Sequence, residues 1–171
     1  MAALTAYVDR RYRPGGFSWP QNWVVANTDV IFIGSFMGLP NPTTGGLTSR
    51  RGFATTFQNQ QQLMWLGVCV RTNYESSSDR DANKVTGVSA GSPPPEAWAE
   101  SGPIVLEQYA VTGLSAQGDV GKAVFATSDN DLQLTQAQAP SIGRVCYWYS
   151  TTSADVLCYG FLGLFAAQTV V

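Results

Sequence analysis

The chain has 171 residues, of which 44% are apolar and only 13% are charged, and its formal net charge is −2. This length favours one domain with a core large enough to need no disulfide or metal support. The charge balance excludes a nucleic-acid role that rests on overall basicity, and the low charged fraction suits a surface covered by partners.

Catalytic and metal chemistry have little support in the sequence. There is no histidine, so the commonest general base and the commonest transition-metal ligand are missing. Cys69, Cys146 and Cys158 are odd in number and widely spaced, which indicates neither a zinc site nor a disulfide framework. The chain begins without an apolar signal segment, and no apolar run reaches about 18 residues. We therefore predict synthesis in a reducing cytoplasm, no membrane partner, no cofactor, no metal and no enzymatic activity.

Residues 1–28 are predicted to form an extended N-terminal arm, because prolines and glycines interrupt them and no regular period is visible. Aromatic and arginine residues, which are enriched at binding hot spots, interleave along this arm. The alternatives are that the aromatic residues fold back as core, or that the arm binds single-stranded nucleic acid, which only three clustered basic residues support weakly. The candidate contact residues of the arm are Tyr7, Arg10, Arg11, Tyr12, Arg13, Trp19 and Trp23.

Residues 29–171 are predicted to form a single β domain. Residues 30–39, 53–57 and 63–70 are β-branched, aromatic or continuously apolar, as buried strands are. The loop between the first two carries Arg50 and Arg51 at its tip, which point either to solvent or to an acidic partner.

Residues 71–102 are predicted to be one long loop insertion, because serines, prolines and charges replace the apolar pattern. Within it we expect a short strand at 84–88 and a helical turn at 96–100. The acidic residues of this segment have no fixed geometry, so they indicate a solvated loop rather than an acid–base pair.

The β pattern resumes at 103–114 and continues with two predicted hairpins. In the first, residues 123–127 and 132–135 flank a Ser-Asp-Asn-Asp turn. In the second, residues 144–149 pair with 155–159, which places Cys146 opposite Cys158. We expect two buried thiols there, and the alternative is a strained disulfide. Both faces of this hairpin are apolar, so it is either sandwiched or in contact with another subunit. The candidate subunit-interface residues share one face: Tyr147, Tyr149 and Tyr159.

A weak internal repeat links the two halves of the chain. Residues 66–70, LGVCV, align with residues 142–146, IGRVC. Residues 53–59 align with 129–135 at the same separation along the chain, and we call this separation the repeat offset. The predicted fold is therefore mainly β: a small β-barrel or β-sandwich of two similar β units, with the N-terminal arm and the long loop excursion added.

The run DVGKAVFATSDNDLQLT, followed by IGRVCYW and ADVLCY, resembles the capsid decoration (head cement) proteins of tailed bacteriophages. The segments at 30–39, 52–57 and 63–70 are similar to the first half of those proteins, and the resemblance covers about half of the chain. It implies a small β-barrel, usually trimeric, fixed outside the capsid at local three-fold positions.

On this resemblance, the expected function is to stabilise an icosahedral shell by bridging subunits of the major capsid protein. The expected location is the outer capsid surface of the virion, and the expected partners are the major capsid protein and two further copies of the chain. The alternative is a virion-borne or secreted glycan-binding β-domain, because five tryptophans and seven tyrosines could form sugar-stacking platforms.

Overall fold

The computed structural model describes residues 12–14, 20–27, 29–40, 53–56, 63–73, 77–88, 94–100, 102–135 and 141–159. The fold is mainly β, as predicted. The helices are α1, Ser77–Asp81, and a short 3-10 helix, Gln117–Asp119. The strands are β1 Tyr12–Pro14, β2 Pro20–Val25, β3 Val30–Phe32, β4 Phe36–Pro40, β5 Phe53–Thr56, β6 Leu63–Thr72, β7 Lys84–Thr86, β8 Glu96–Glu100, β9 Ile104–Thr112, β10 Ala123–Ala126, β11 Leu132–Gln133, β12 Ser141–Ser150 and β13 Ser153–Cys158.

The first half of the chain forms a closed five-stranded barrel in the order β2-β5-β4-β6-β8. Strands β2 and β5 run parallel, and the other pairs of the barrel are antiparallel. Strands β3 and β7 form a separate two-stranded sheet. The barrel core is small and apolar, and its fully buried residues are Val25, Ile31, Met37, Leu66, Cys69, Val85, Ala97 and Ala99.

The second half, together with β1 from the start of the chain, forms a curled sheet in the order β1-β9-β11-β10-β12-β13. Strand β13 also pairs with β9, so the sheet turns back on itself. Both hairpins predicted from the sequence are confirmed, β10 with β11 and β12 with β13. Strand β1 adds to the outer edge of β9.

The barrel and the curled sheet have the same pairing order and matching registers. The barrel order β2-β5-β4-β6-β8 matches, strand for strand, the order β9-β11-β10-β12-β13 in the curled sheet. Each order contains one parallel pair, β2 with β5 and β9 with β11. Met37 lies opposite Gly67 on β6, and Val124 lies opposite Gly143 on β12, with a bulge immediately after each. Gly67 and Gly143 are separated by the repeat offset seen in the sequence.

The similarity in register extends along these strands with one adjustment. The β6–β8 ladder is bulged between Cys69 and Arg71, and the β12–β13 ladder between Val145 and Tyr147, again at the repeat offset. Strands β5 and β11 do not keep the repeat offset. Position 55 on β5 matches position 133 on β11, whereas the repeat offset predicts position 131. Position 55 lies opposite the residue after the β4 bulge, as position 133 lies opposite the residue after the β10 bulge.

The barrel packs against the curled sheet through large side chains of β4 and β6. Phe36, Trp65 and Val68 belong to barrel strands but are buried in the core cluster of the curled sheet. The backbone N–H of Phe36 donates to the carbonyl of Asp129 at 2.9 Å, and Trp65 Nε1 donates to the carbonyl of Tyr159 at 3.0 Å. The two halves therefore share buried surface and directional hydrogen bonds.

The predicted boundary of the N-terminal arm at residue 28 is wrong. Pro20–Val25 is β2, which pairs with both β5 and β8 inside the barrel. Proline is tolerated at the first residue of a strand, so Pro20 starts β2 rather than interrupting it. Tyr12–Pro14 pairs with β9.

The prediction of one loop insertion at 71–102 is also wrong. The segment contains the end of β6, helix α1, strand β7 and barrel strand β8. The short strand expected near 84–88 is confirmed as β7, but the helical turn expected at 96–100 is a strand. Its sequence EAWAE consists mostly of good helix formers, and pairing with β2 and β6 overrides that preference. No helix within these described stretches is long and apolar enough to cross a membrane.

Candidate interaction surface

The outer side of the β12–β13 hairpin exposes three large apolar side chains. Tyr147 is 56% exposed, Tyr149 is 44% exposed and Leu157 is 39% exposed. The two tyrosine rings lie 4.7 Å apart between centroids with an interplanar angle of 59°. These three residues, called the hairpin face below, are three of the five exposed large apolar side chains found within the described ranges.

A β-bulge produces this arrangement. Residues two apart on a regular strand share a face, so Val145 and Tyr147 would both point inward or both point outward. The ladder shifts between these two residues, and as a result Val145 is buried while Tyr147 is exposed. The bulge also changes the register predicted for the cysteines, because Cys158 lies opposite Gly143 and Cys146 is exposed rather than buried.

Asp155 supports the hairpin face from beneath. Its side chain is only 4% exposed. One carboxylate oxygen accepts the backbone N–H of Gln108 at 2.8 Å, and the other accepts the Tyr149 hydroxyl at 3.3 Å. Gln108 has a left-handed backbone, with φ of 48°, and its hydrogen bond to Asp155 holds that strained turn of β9. Asp155 thus fixes both the turn and the tyrosine.

The same contacts change the acidity of Tyr149. Desolvation by its surroundings raises the pKa of the Tyr149 phenol, and the negative charge and hydrogen bond of Asp155 raise this pKa further. A raised tyrosine pKa means that folding favours the neutral phenol. That contribution to stability is complete below the unfolded-state pKa, and it is lost as the pH rises through the folded-state pKa.

We expect Asp155→Asn to lower the pKa of Tyr149, because the substitution removes the charge and leaves an amide oxygen to accept from Gln108. Ultraviolet absorbance titration of the phenols would measure the shift. Asp155→Ala leaves the Gln108 N–H without its acceptor and is expected to cost about 1–3 kcal/mol of stability. Glu107→Gln, on the neighbouring strand, serves as the charge-matched control, and an equal shift in that variant would contradict the role given to Asp155.

The structure separates the residues predicted to form the subunit interface. Tyr147 and Tyr149 lie together on the hairpin face, but Tyr159 is half-buried against the core of the curled sheet. Leu157 is exposed on this surface instead, and Asp155 and Gln108 support Tyr149 from beneath. The exposed tyrosines could be predicted from residue type and alternation, whereas the other contributions depend on bulges and on pairing between distant strands.

The residues predicted to contact a capsid are only partly described. Tyr7, Arg10, Arg11, Trp19, Arg50 and Arg51 lie outside the described residues. Tyr12 and Arg13 lie in β1, whose backbone pairs with β9. Trp23 lies in β2, half-buried against the barrel core, in agreement with the fold-back alternative for this one aromatic residue.

The described residues contain no group of three or more acidic or cysteine side chains arranged to hold a metal ion. Searches of protein-family models, curated proteins and solved structures each gave no match to the chain. Functional inference therefore rests on the surface, the fold and the sequence resemblance. The surface has the chemistry of protein contact, since tyrosine rings provide large, rigid and amphipathic area.

Proposed function

We propose that the chain is a structural virion protein that decorates the outside of a tailed-phage capsid and stabilises the shell. The observation that carries the proposal is the hairpin face, an exposed aromatic and aliphatic surface on a β-rich scaffold that would join copies of the chain into the decorating oligomer. The sequence resemblance to decoration proteins supports the same conclusion independently. We assign no catalytic role to any residue.

We also propose that the chain consists of two similar β units, the barrel and the curled sheet. The support is the shared pairing order, the matching bulges and the repeat offset between β6 and β12. A chance likeness of two β sheets would not be expected to reproduce both the parallel pair and the bulge positions. On this view residues 1–19 precede the first unit and remain candidates for an arm that is held at β1 by its pairing with β9.

Stabilisation would follow from linkage. A protein that binds the assembled lattice but not free capsid subunits raises the free energy required to open that lattice. A homotrimer at a local three-fold position would engage several major capsid protein subunits at once, so three modest contacts act together. The arm and the Arg50–Arg51 loop are the proposed shell contacts, and Tyr147 and Tyr149 are proposed to lie between subunits.

Co-sedimentation with isolated shells that lack the chain tests this function. Wild-type protein is expected to bind the shells and to raise the temperature at which they open. A variant with glutamate at Arg10, Arg11, Arg50 and Arg51 is expected to bind at least tenfold more weakly, with its solution mass unchanged. Arg80→Glu, an exposed change on helix α1, is the control. Undiminished binding of the four-site variant would reject these contacts, and no binding of the wild type would reject shell decoration.

Glycan binding is the second candidate function, and the adjacent exposed rings of Tyr147 and Tyr149 favour it. Sugar rings commonly stack on aromatic faces, but these two rings are tilted by 59° and do not form one flat platform. A glycan array with wild-type protein and Tyr147→Ala would decide between the two functions. Saturable binding that is lost in the variant would favour the glycan domain.

A further inference from the structure

The junction inside the chain shows which side of a β unit can bind a neighbouring unit. On the barrel, Phe36, Val68 and Glu100 lie side by side across β4, β6 and β8 and form what we call the barrel row. Phe36 and Val68 are buried in the core of the curled sheet, and the Phe36 ring lies 5.8 Å from that of Tyr109 on β9. Glu100 is 8% exposed, and desolvation raises the pKa of its carboxyl. The row is thus sheltered from water.

Strand register identifies the counterpart of the barrel row on the curled sheet. Ala123, Arg144 and Leu157 lie side by side across β10, β12 and β13, and we call them the sheet row. The sheet row occupies the same pairing positions next to the same bulges. Arg144 and Leu157 are nevertheless exposed, at 39% for Leu157. The side that binds a neighbour in the first unit is therefore open to solvent in the second.

The sheet row is continuous with the hairpin face. Leu157 belongs to both, and Tyr147 follows Arg144 along the outer side of β12. The combined surface contains arginine, tyrosine and leucine, whereas the barrel row is largely apolar. Arginine and tyrosine are enriched in the centres of protein interfaces that form between separately folded chains. This composition fits a contact that assembles after folding rather than one buried from the start.

Strand register also identifies the barrel residue that matches Tyr109, the residue of the curled sheet that contacts Phe36. Tyr109, which receives Phe36, lies opposite Ala154, and Trp23 on β2 lies opposite Ala97 in the matching position. Tyr109 and Trp23 are both half-buried aromatic residues packed on their own cores. The barrel therefore presents, at Trp23, an aromatic residue in the position that receives a neighbour within the chain.

We propose that the sheet row and hairpin face of one chain dock onto the Trp23 side of the barrel of a second copy of the chain. The barrel and the curled sheet, which contact each other within one chain, would then also contact each other between neighbouring chains. Such a contact is heterologous, so it forms a closed ring when the rotation per chain divides a full turn, and an open filament otherwise. The inference rests on the two-unit and trimer proposals above, and three chains would close a ring of six β units.

Solution mass tests the surface. Multi-angle light scattering over a range of concentrations is expected to give a trimer for the wild type and a monomer for Leu157→Asp, with at least a tenfold increase in the dissociation constant. Val120→Asp is the matched control, because Val120 is 45% exposed on the same half of the chain but lies outside the hairpin face. Circular dichroism confirms folding of each variant. An unchanged mass for Leu157→Asp, or a monomeric wild type, overturns the inference.

Thiol crosslinking tests the head-to-tail direction. In a Cys146→Ser background, Leu157→Cys is made in one chain and Asn22→Cys in another, since Asn22 is exposed next to Trp23. With a short bismaleimide, covalent dimers are expected only when the two variants are mixed. Dimers of the Leu157→Cys chain alone would indicate a symmetric contact and overturn the inference. Shell co-sedimentation is scored separately, so rings without shell binding would reject decoration alone, and shell binding without rings would reject this contact alone.

Discussion

Replacing Trp65 with alanine is expected to lower the free energy of unfolding by about 3–5 kcal/mol, the usual range for truncating a buried tryptophan. Trp65 is 1% exposed and lies edge-to-face with Phe36, with ring centroids 5.4 Å apart. Its indole N–H is the donor to the Tyr159 carbonyl, which the substitution leaves without that partner. Because Trp65 lies on a barrel strand and packs in the core of the curled sheet, its loss weakens the junction as well as the core.

Trp98→Ala is the matched control for this experiment. Trp98 is half-buried on β8, and the Arg71 guanidinium lies over its ring at 5.1 Å from the centroid. The same change in side-chain volume at this partly exposed position is expected to cost clearly less than at Trp65. Chemical denaturation measures both values. Equal losses in the two variants would contradict the importance given to the junction.

Gly143→Ala is expected to destabilise the chain by about 3 kcal/mol, at the upper end of the range for overpacking. A Cβ at this position would lie 2.2 Å from the Leu157 carbonyl oxygen and 2.9 Å from the Cys158 Cα. Both neighbours are backbone atoms of β13, so no flexible side chain can move aside, and β12 and β13 must separate. Gly67, at the matching ladder position of β6, has a φ of 139°, which also favours glycine.

Gly118→Ala provides the control for Gly143→Ala. A Cβ added to Gly118 meets nothing within 4 Å, and the expected change in stability is within about 0.5 kcal/mol. Thermal and denaturant unfolding of both variants would measure the difference. A small effect at Gly143 would mean that β12 and β13 are not as close as described, and it would remove the register on which the sheet row depends.

The β class and both C-terminal hairpins could be predicted because apolar runs flank turn residues in the sequence. Residues 128–131 form a local turn, in which the Ser128 hydroxyl accepts the backbone N–H groups of Asn130 and Asp131. Strand β8 could not be predicted in the same way. Its local preference is helical, and its strand conformation comes from β2 and β6, which flank it in the barrel but not in the sequence.

For the candidate surface too, local sequence predicted some residues, and others depend on contacts between strands that are distant in the sequence. Alternation in β12 identified Tyr147 and Tyr149 as residues of one face. It could not place the bulge after Val145, nor show that Tyr159, just beyond the end of β13, packs on the core of the curled sheet, nor that Asp155 is buried. Gly143 lies where the backbones of β12 and β13 approach closely, and Gly67 lies at the matching ladder position of β6, opposite Met37.

An electron cryo-microscopy reconstruction of virus particles that carry this chain would test shell decoration most directly. We expect density for the two β units on the outer surface of the shell at local three-fold positions. We further expect the arm and the Arg50–Arg51 loop to touch the major capsid protein. Density confined to the tail, or density inside the shell, would contradict the proposed function.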